Sequence, residues 1–416
     1  MARFFYTLLL VALAPLIALR LLWRGRRQPE YLRNVGERLG YYRQAAPARV
    51  IWVHAVSVGE TRAAQPLIDA VQAGWPDHRI VLTGMTPTGR ATAIEVYGER
   101  VTPVYLPYDY PWAVDRFFRH FSPAFGLLME TEVWPNLLAA AARRNLPVLL
   151  VNARLSERSA RGYGRVGALA RPAFASLAAV AAQTAGDAAR LAALGASHVE
   201  ICGNLKFDVA PPAAAVALGK SWREALGGRR IWVAASTREG EEALLLAAWR
   251  RVALPGALLV VVPRHPQRFD EVAALIKNDG WRIVRRSDGL AGPDDEVWLG
   301  DSMGEMAAYY TLADLAFIGG SLLPLGGQNL IEAAACGCPV LVGPHTFNFL
   351  QATDDAIASA AAMRVADATE LAAVVTRMLG DADELGKMRA AALGFAKAHR
   401  GATARTVALI RSVLTS

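Results

Sequence analysis

The sequence predicts an α/β protein made of two doubly wound halves behind an apolar, arginine-flanked N-terminal segment. Three observations lead there. From Val50 onward, short continuous apolar runs alternate with alanine- and leucine-rich stretches of helical length, such as Thr61–Ala73 and Glu241–Val252. A chain of 416 residues exceeds what one ordinary core organises and suits two domains plus an attachment segment. A stretch holding Pro211, Pro212, several alanines, Gly227 and Gly228 parts the runs into two sets. Unbroken apolar strands alternating with helices mean parallel sheets covered on both faces.

The apolar segment comes first. Phe4 to Leu19 carries no charge, and Arg20, Leu21, Leu22 and Trp23 lead into Arg24, Arg26 and Arg27. With Arg20 snorkelling, the segment reaches about 20 residues, roughly a bilayer span. Trp23 suits the interface, and the arginines hold the downstream side in the cytoplasm. Pro15 and Arg20 leave an in-plane amphipathic anchor as the other form of attachment. A cleaved signal peptide is opposed by the dense positive charge that follows, with no small-residue cleavage site. Residues 1–27 are therefore read as a membrane anchor with a basic flank. The charge agrees: residues 1–50 hold nine arginines and two glutamates, nearly the whole net charge of +8. Charge confined beside an apolar segment fits an anionic membrane surface rather than nucleic acid.

The strands follow in order. Val50–Val53, Ile80–Leu82, Val101–Leu106, Ala124–Met129, Val148–Val151 and Val199–Cys202 make a first parallel sheet. Ile231–Ala234, Ala257–Val262, Trp281–Val284, Glu296–Leu299, Leu315–Ile318 and Pro339–Val342 make a second. This sets an N-terminal domain at 28–207, a linker at 208–228 and a C-terminal domain at 229–416. Ligands of such folds bind outside the carboxyl ends of the strands, so the cleft between domains is the expected site. Cys202, Cys336 and Cys338 are an odd set without zinc-finger spacing, which fits buried thiols in a reducing compartment and offers no metal site. Gly162, Gly164 and Gly167 match a dinucleotide fingerprint but follow a charged, non-strand stretch, so the match is set aside.

The strand ends carry the chemistry. After the first strand, His54–Thr61 places Ser57 and Gly59 in a turn and Glu60 in the first turn of a helix. A carboxylate there suits a general base; the alternative is that it only complements the helix dipole, which would lower its pKa. Glu130 and Glu132 close another strand ahead of Pro135, and Lys206 closes the last strand of the first half. In the second half, Ser236–Glu242 reads as hydroxyl caps followed by an acidic first turn. Pro263, Arg264, His265 and Pro266 fix a guanidinium and an imidazole suited to a phosphate. Gly300–Met306 opens a helix whose N–H groups suit an anion, and Gly319–Ala334 offers glycines for close approach, with Asn329 to cap and Glu332 to bind a ribose diol. Together these strand ends describe a nucleotide site.

At these residues the sequence resembles the Kdo (3-deoxy-D-manno-oct-2-ulosonic acid) transferases of lipid A and lipopolysaccharide biosynthesis. The signatures HAVSVGET, TGMTPTG, YLPYD, METEVWPN, NARLS, GNLKFD, STREGEE, PRHP, GDSMGEM, GGQNLIEAAA and GPHTFNF run through essentially the whole chain in one order. The resemblance implies a GT-B fold, two Rossmann-like domains facing a cleft, with the first domain taking the acceptor and the second CMP-Kdo. It implies inverting transfer of Kdo to a hydroxyl of a lipid A precursor such as lipid IVA, at the cytoplasmic side of the bacterial inner membrane, without a metal or cofactor. By the same resemblance Glu60 is the general base, and Glu130 and Lys206 stabilise the transition state. Pro263, Arg264, Met303, Gly304, Glu305, Asn329, Leu330, Ile331 and Glu332 contact CMP. Gln328 and Leu330 depart from the family pattern, where histidine and proline are frequent. The alternatives are another membrane-associated GT-B enzyme using a UDP-sugar and a non-catalytic tethered nucleotide-binding protein.

Overall fold

A computed structural model describes residues 1–252 and 254–415; residues 253 and 416 of the expected C-terminal domain lie outside the described residues. The chain divides into two compact units, Met1–Val209 with Arg400–Ser416, and Ala210–His399.

Unit 1 is built on a seven-stranded parallel sheet of β1 (Val50–His54), β2 (Arg79–Gly84), β3 (Val101–Tyr105), β4 (Phe125–Met129), β5 (Val148–Ala153), β6 (Ala179–Ala182) and β7 (Val199–Ile201). Their order is β3-β2-β1-β4-β5-β6-β7. Every residue of β1, β4 and β5 is buried, as strands covered on both faces require. Unit 2 repeats the architecture with β8 (Ile231–Thr237), β9 (Leu258–Pro263), β10 (Ile283–Arg285), β11 (Val297–Leu299), β12 (Leu315–Ile318), β13 (Val340–Val342) and β14 (Ala362–Arg364). Its order is β10-β11-β9-β8-β12-β13-β14. Each sheet reverses its winding beside its first strand, between β1 and β4 and between β8 and β12. Such a switch point is where a doubly wound sheet opens a crevice.

Twelve of these strands coincide with the apolar runs. The other two, β6 and β14, escape the pattern for physical reasons. Ala-Val-Ala-Ala of β6 looks like the alanine-rich helices around it, and β14, Ala-Met-Arg, follows two alanines and ends in a charge, so no apolar run marks it.

The division of the chain differs from the sequence reading in two places. Much of 208–228, read as a linker, is a helix, Ala213–Ala225, inside unit 2. Its Trp222 meets Trp298 and Tyr309 edge-on or tilted, with ring centroids 5.1 and 5.2 Å away. Its Gly219 lies so close to Ala308 that a β-carbon would collide with that carbonyl oxygen. The second difference is at the C-terminus. Helix Ala402–Thr415 belongs to unit 1, where Ala402, Leu409 and Ile410 join the core around Ile68, Cys202 and Leu205. Asp208 secures the return by accepting the amides of Gly401 and Thr403 at 2.7 and 2.6 Å.

At the N-terminus, two helices stand where one was expected: α1 (Ala2–Ala12) and α2 (Ala14–Arg27), bent by 49°. Pro15 opens α2, since a proline lacks the N–H that a continuing helix needs. No single described helix is long and apolar enough to cross a membrane, although the bent pair passes together by length and composition. Phe4, Phe5, Leu8, Leu9, Leu16, Leu19, Leu22 and Trp23 are exposed.

Candidate active site

The unit 1 site forms at its switch point. β1 runs into a short loop and then α3 (Val58–Ala63), whose N-cap Ser57 accepts the Glu60 amide at 3.3 Å. The Glu60 carboxylate turns back to accept the Val56 amide at 2.9 Å and the Ser57 hydroxyl at 3.1 Å, a variant of the capping box. Across the switch point Glu130 follows β4 with φ of 57°, a left-handed conformation for a non-glycine residue, and its amide donates to the Val151 carbonyl at 3.0 Å. Lys206 Nζ lies 3.6 Å from the Glu130 carboxylate. Glu132 accepts the Trp134 indole N–H at 2.7 Å.

The electrostatics of Glu60 follow from this crowd. Burial pushes its pKa up to about 7, the negative charge of Glu130 adds to the rise, Glu132 adds less, and the Val56 and Ser57 bonds oppose it. The dipole argument pointed the other way. Desolvation and like charge outweigh one helix turn, so Glu60 becomes a carboxylate that changes charge near neutrality. Glu132 is also raised, chiefly by burial. Behind them His54 is buried against Thr83 with its pKa lowered to about 4, so it stays neutral.

Unit 2 presents a different surface at the carboxyl ends of its strands. Arg264 is exposed just past β9, and its amide donates to the Thr237 carbonyl at 3.0 Å. The pKa of His265 is depressed by burial and then by the charges of Arg238, Arg264 and Arg268, which marks a cluster of guanidinium groups. Arg268 is already engaged, bonding both oxygens of Glu242 at 2.6 and 3.1 Å. The loop before helix Met306–Leu312 exposes Met303 and Gly304, while Glu305 pairs with Arg286 at 3.1 Å. Asp301 in that loop accepts from Arg285 Nε and the Ser287 hydroxyl, each at 2.7 Å.

The glycine-rich loop after β12 is held by a carboxylate. Glu241, fully buried, accepts the amides of Gly320 and Leu322 at 2.5 and 3.0 Å, and that of Arg238 at 3.0 Å. Gly319 must be glycine here, because a β-carbon would sit 2.6 Å from the Ser236 carbonyl oxygen. The hydroxyl caps expected in Ser236–Glu242 do not form. Gly240 is the N-cap with no side-chain bond, and the Thr237 hydroxyl donates instead to Glu242 at 2.8 Å. Asn329 Oδ1 accepts the Ile331 amide at 3.1 Å. Glu332 is half-buried one residue on, whereas Pro263, Leu330 and Ile331 are buried.

The structure thus gathers Glu60, Glu130 and Lys206 in unit 1, and sets Arg264, Met303, Gly304, Glu305, Asn329 and Glu332 at strand ends or loops of unit 2. Sequence reasoning missed the residues that hold them. Asn152, with φ of 51°, accepts the Leu205 amide at 3.0 Å, and Asn204 accepts the Lys206 amide at 3.0 Å, so two asparagines set the lysine turn. Both lie in motifs already singled out, NARLS and GNLKFD, where an asparagine at a strand end was the available signal. Arg286 had no such signal, since its partner Glu305 is distant in sequence; Glu241 stood within STREGEE, but its bonds to Gly320 and Leu322 join residues far apart in the chain. Among the described residues no group of three or more His, Cys, Asp or Glu is placed to hold a metal ion.

Comparison with known proteins bears on this arrangement. The family model described as 3-deoxy-D-manno-octulosonic-acid transferase (kdotransferase) matches residues 33–209. A 3-deoxy-D-manno-octulosonic acid transferase from Bordetella pertussis is 46% identical, over 98% of each chain. One from Haemophilus influenzae is 39% identical, over 84% of each. A glycosyltransferase structure from Rickettsia africae shares the fold at a TM-score of 0.61 and 12% identity, covering 90% of this chain and 99% of that one.

Proposed function

This chain belongs to the 3-deoxy-D-manno-octulosonic acid transferase family and is a glycosyltransferase, and we propose that it transfers Kdo from CMP-Kdo to a hydroxyl of a lipid A precursor such as lipid IVA. The observation that carries the mechanism is Glu60, a carboxylate with its pKa at about 7 beside Glu130. A base poised near neutrality takes a hydroxyl proton most effectively at cellular pH.

In this mechanism Glu60 removes the proton of the acceptor hydroxyl while that oxygen attacks the anomeric carbon of Kdo. The new C–O bond forms as the bond from that carbon to the phosphate oxygen breaks, with inversion, and CMP leaves carrying the electron pair. Positive charge develops on the sugar ring, where Glu130 is a suitable counter-charge, and Lys206 suits the sugar carboxylate. Negative charge develops on the phosphate, for which Arg264 and the amides of the glycine-rich loop are suited. Met303, Gly304, Glu305, Asn329 and Glu332 line the nucleotide, with Glu332 accepting from the ribose diol. Pro263, Leu330 and Ile331, being buried, shape these loops from beneath.

Residues 1–27 attach the enzyme to the cytoplasmic face of the bacterial inner membrane. Supporting this are the exposed apolar residues of α1 and α2 and the arginines 24, 26 and 27 in the last turn of α2. The division of labour follows: 28–207 takes the acceptor and the second half takes the donor.

The test is to incubate purified protein with a tetraacylated lipid A precursor and CMP-Kdo generated in place, beside a Glu60→Gln control, and to weigh the lipid. A gain of one or more Kdo units, lost in the control, is the expected result. Folded protein giving no gain with CMP-Kdo, but releasing UDP from a UDP-sugar, would sink the reading.

A further inference from the structure

Asp109 ends the YLPYD motif and stands outside the mechanism above. It is 3% exposed. Its two carboxylate oxygens accept the amides of Asn136 and Leu137 at 2.9 and 2.8 Å. These are first-turn amides of helix Pro135–Ala142, which have no partner within their own helix. That helix begins where the loop carrying Glu130, Glu132 and Trp134 ends, so its first turn fixes the far end of that loop.

The Tyr6 side chain of α1 interacts with the same carboxylate, and the charge of Arg3 acts on it as well. Asn136 Nδ2 bridges the same two elements, donating to the Asp109 carbonyl at 2.7 Å and to Thr7 Oγ1 at 3.0 Å. A third tie runs from the Tyr110 hydroxyl to the Leu10 carbonyl at 3.0 Å.

These polar ties are what seat α1. The helix has no fully buried residue, and a groove of about 750 Å³ bordered by Phe4, Pro135, Leu169 and Pro172 runs beside it. Its other face shows Phe5, Leu8 and Leu9 to solvent, an arrangement favourable only where lipid covers them. We propose that Asp109 is a positioning residue that couples the seat of α1 to the loop bearing Glu130. A lipid surface that covers the outer face of α1 favours its seated position. The seated helix completes the bonds on Asp109 and Asn136, and these hold Glu130 against Glu60 and Lys206. The membrane helix is then part of the catalytic geometry as well as an anchor. The inference rests on the roles proposed above for Glu60 and Glu130.

The experiment uses full-length Tyr6→Phe, which removes one hydroxyl, and Asp109→Asn, with Leu9→Ser on the outer face of α1 as a control. Losing the interaction of that hydroxyl with the carboxylate is expected to lower kcat for a detergent-dispersed acceptor about 3- to 10-fold in Tyr6→Phe, with KM for CMP-Kdo unchanged. The acid limb of its pH–rate profile moves to lower pH as Glu130, with its partner Lys206, and Glu132 draw back from Glu60. Hydrogen exchange over residues 130–138 quickens in both Asp109→Asn and Tyr6→Phe. Leu9→Ser weakens vesicle binding, while exchange over 130–138 in lipid-free solution stays as in the wild type because no polar tie is removed. Unaltered exchange over 130–138 together with unaltered kcat in Tyr6→Phe would overturn the coupling. If the wild type makes no Kdo product, the proposed function falls, yet faster exchange over 130–138 in Tyr6→Phe still upholds the mechanical link and unaltered exchange still removes it.

Discussion

Glu60 in unit 1 and Glu241 in unit 2 each follow the first strand of a seven-stranded parallel sheet, beside the point where the strand order reverses. Their environments set them apart. Glu60 accepts only one amide and one hydroxyl, and burial, then the charge of Glu130, outweigh them, so its proton affinity rises into the neutral range. Glu241 accepts three loop amides, and its oxygens are committed to the shape of the glycine-rich turn. The lesson is that a switch point supplies a place for a carboxylate, and the surrounding donors decide whether it moves protons or holds backbone.

The largest test of that contrast is Glu60→Gln. Removing a general base is expected to slow transfer by about 10²- to 10⁴-fold while CMP affinity, measured by calorimetry, stays as in the wild type. Equal loss of CMP binding would break the comparison by making Glu60 a binding residue. Glu241→Gln should do the reverse. Weakening buried bonds to a charged acceptor is expected to cost about 1.5–3 kcal/mol in denaturant unfolding, with CMP binding weakened alongside, because the Gly320 turn loosens. Arg264→Ala is smaller: CMP binds about tenfold more weakly, a loss of about 1.4 kcal/mol, and the melting temperature is unchanged.

The smallest effect is in pH dependence. Transfer should fall as pH drops through about 7, since the base works only when deprotonated and its folded pKa is raised to that value. In Glu130→Gln the removed negative charge no longer disfavours ionisation, so the acid limb of the surviving rate moves to lower pH. A limb that stays in place would mean burial alone sets the proton affinity of Glu60.

How far the sequence carried this picture depended on the range of the interaction. β1, β4 and β5 were legible because their runs of successive apolar residues leave no other reading. Glu60, Glu130, Lys206 and Arg264 were legible as charged residues at strand ends, and the family signatures added the contacts to CMP. β6 was lost because alanine serves helix and strand alike. The raised pKa of Glu60 was lost because it depends first on burial and then on Glu130, far along the chain, and no local pattern shows either. The hydroxyl caps at Ser236 and Thr237 were expected from local preference, and the buried acids at 241 and 242 displaced them. Asp109 was invisible for the same reason as Glu241: its partners, at 6, 136 and 137, meet it only in three dimensions.

The helix at 402–415 has a consequence for how the protein is made. Unit 1 is assembled from both ends of the chain, so unit 2 is an insertion within its sequence. During synthesis unit 2 has all its strands once residue 364 has emerged, while unit 1 still lacks the helix that covers Ile68, Cys202 and Leu205. The first domain to appear on the ribosome is thus the last to finish. A stop codon that removes only the final turns would expose the core of unit 1, hundreds of residues upstream, and leave the strands of unit 2 complete.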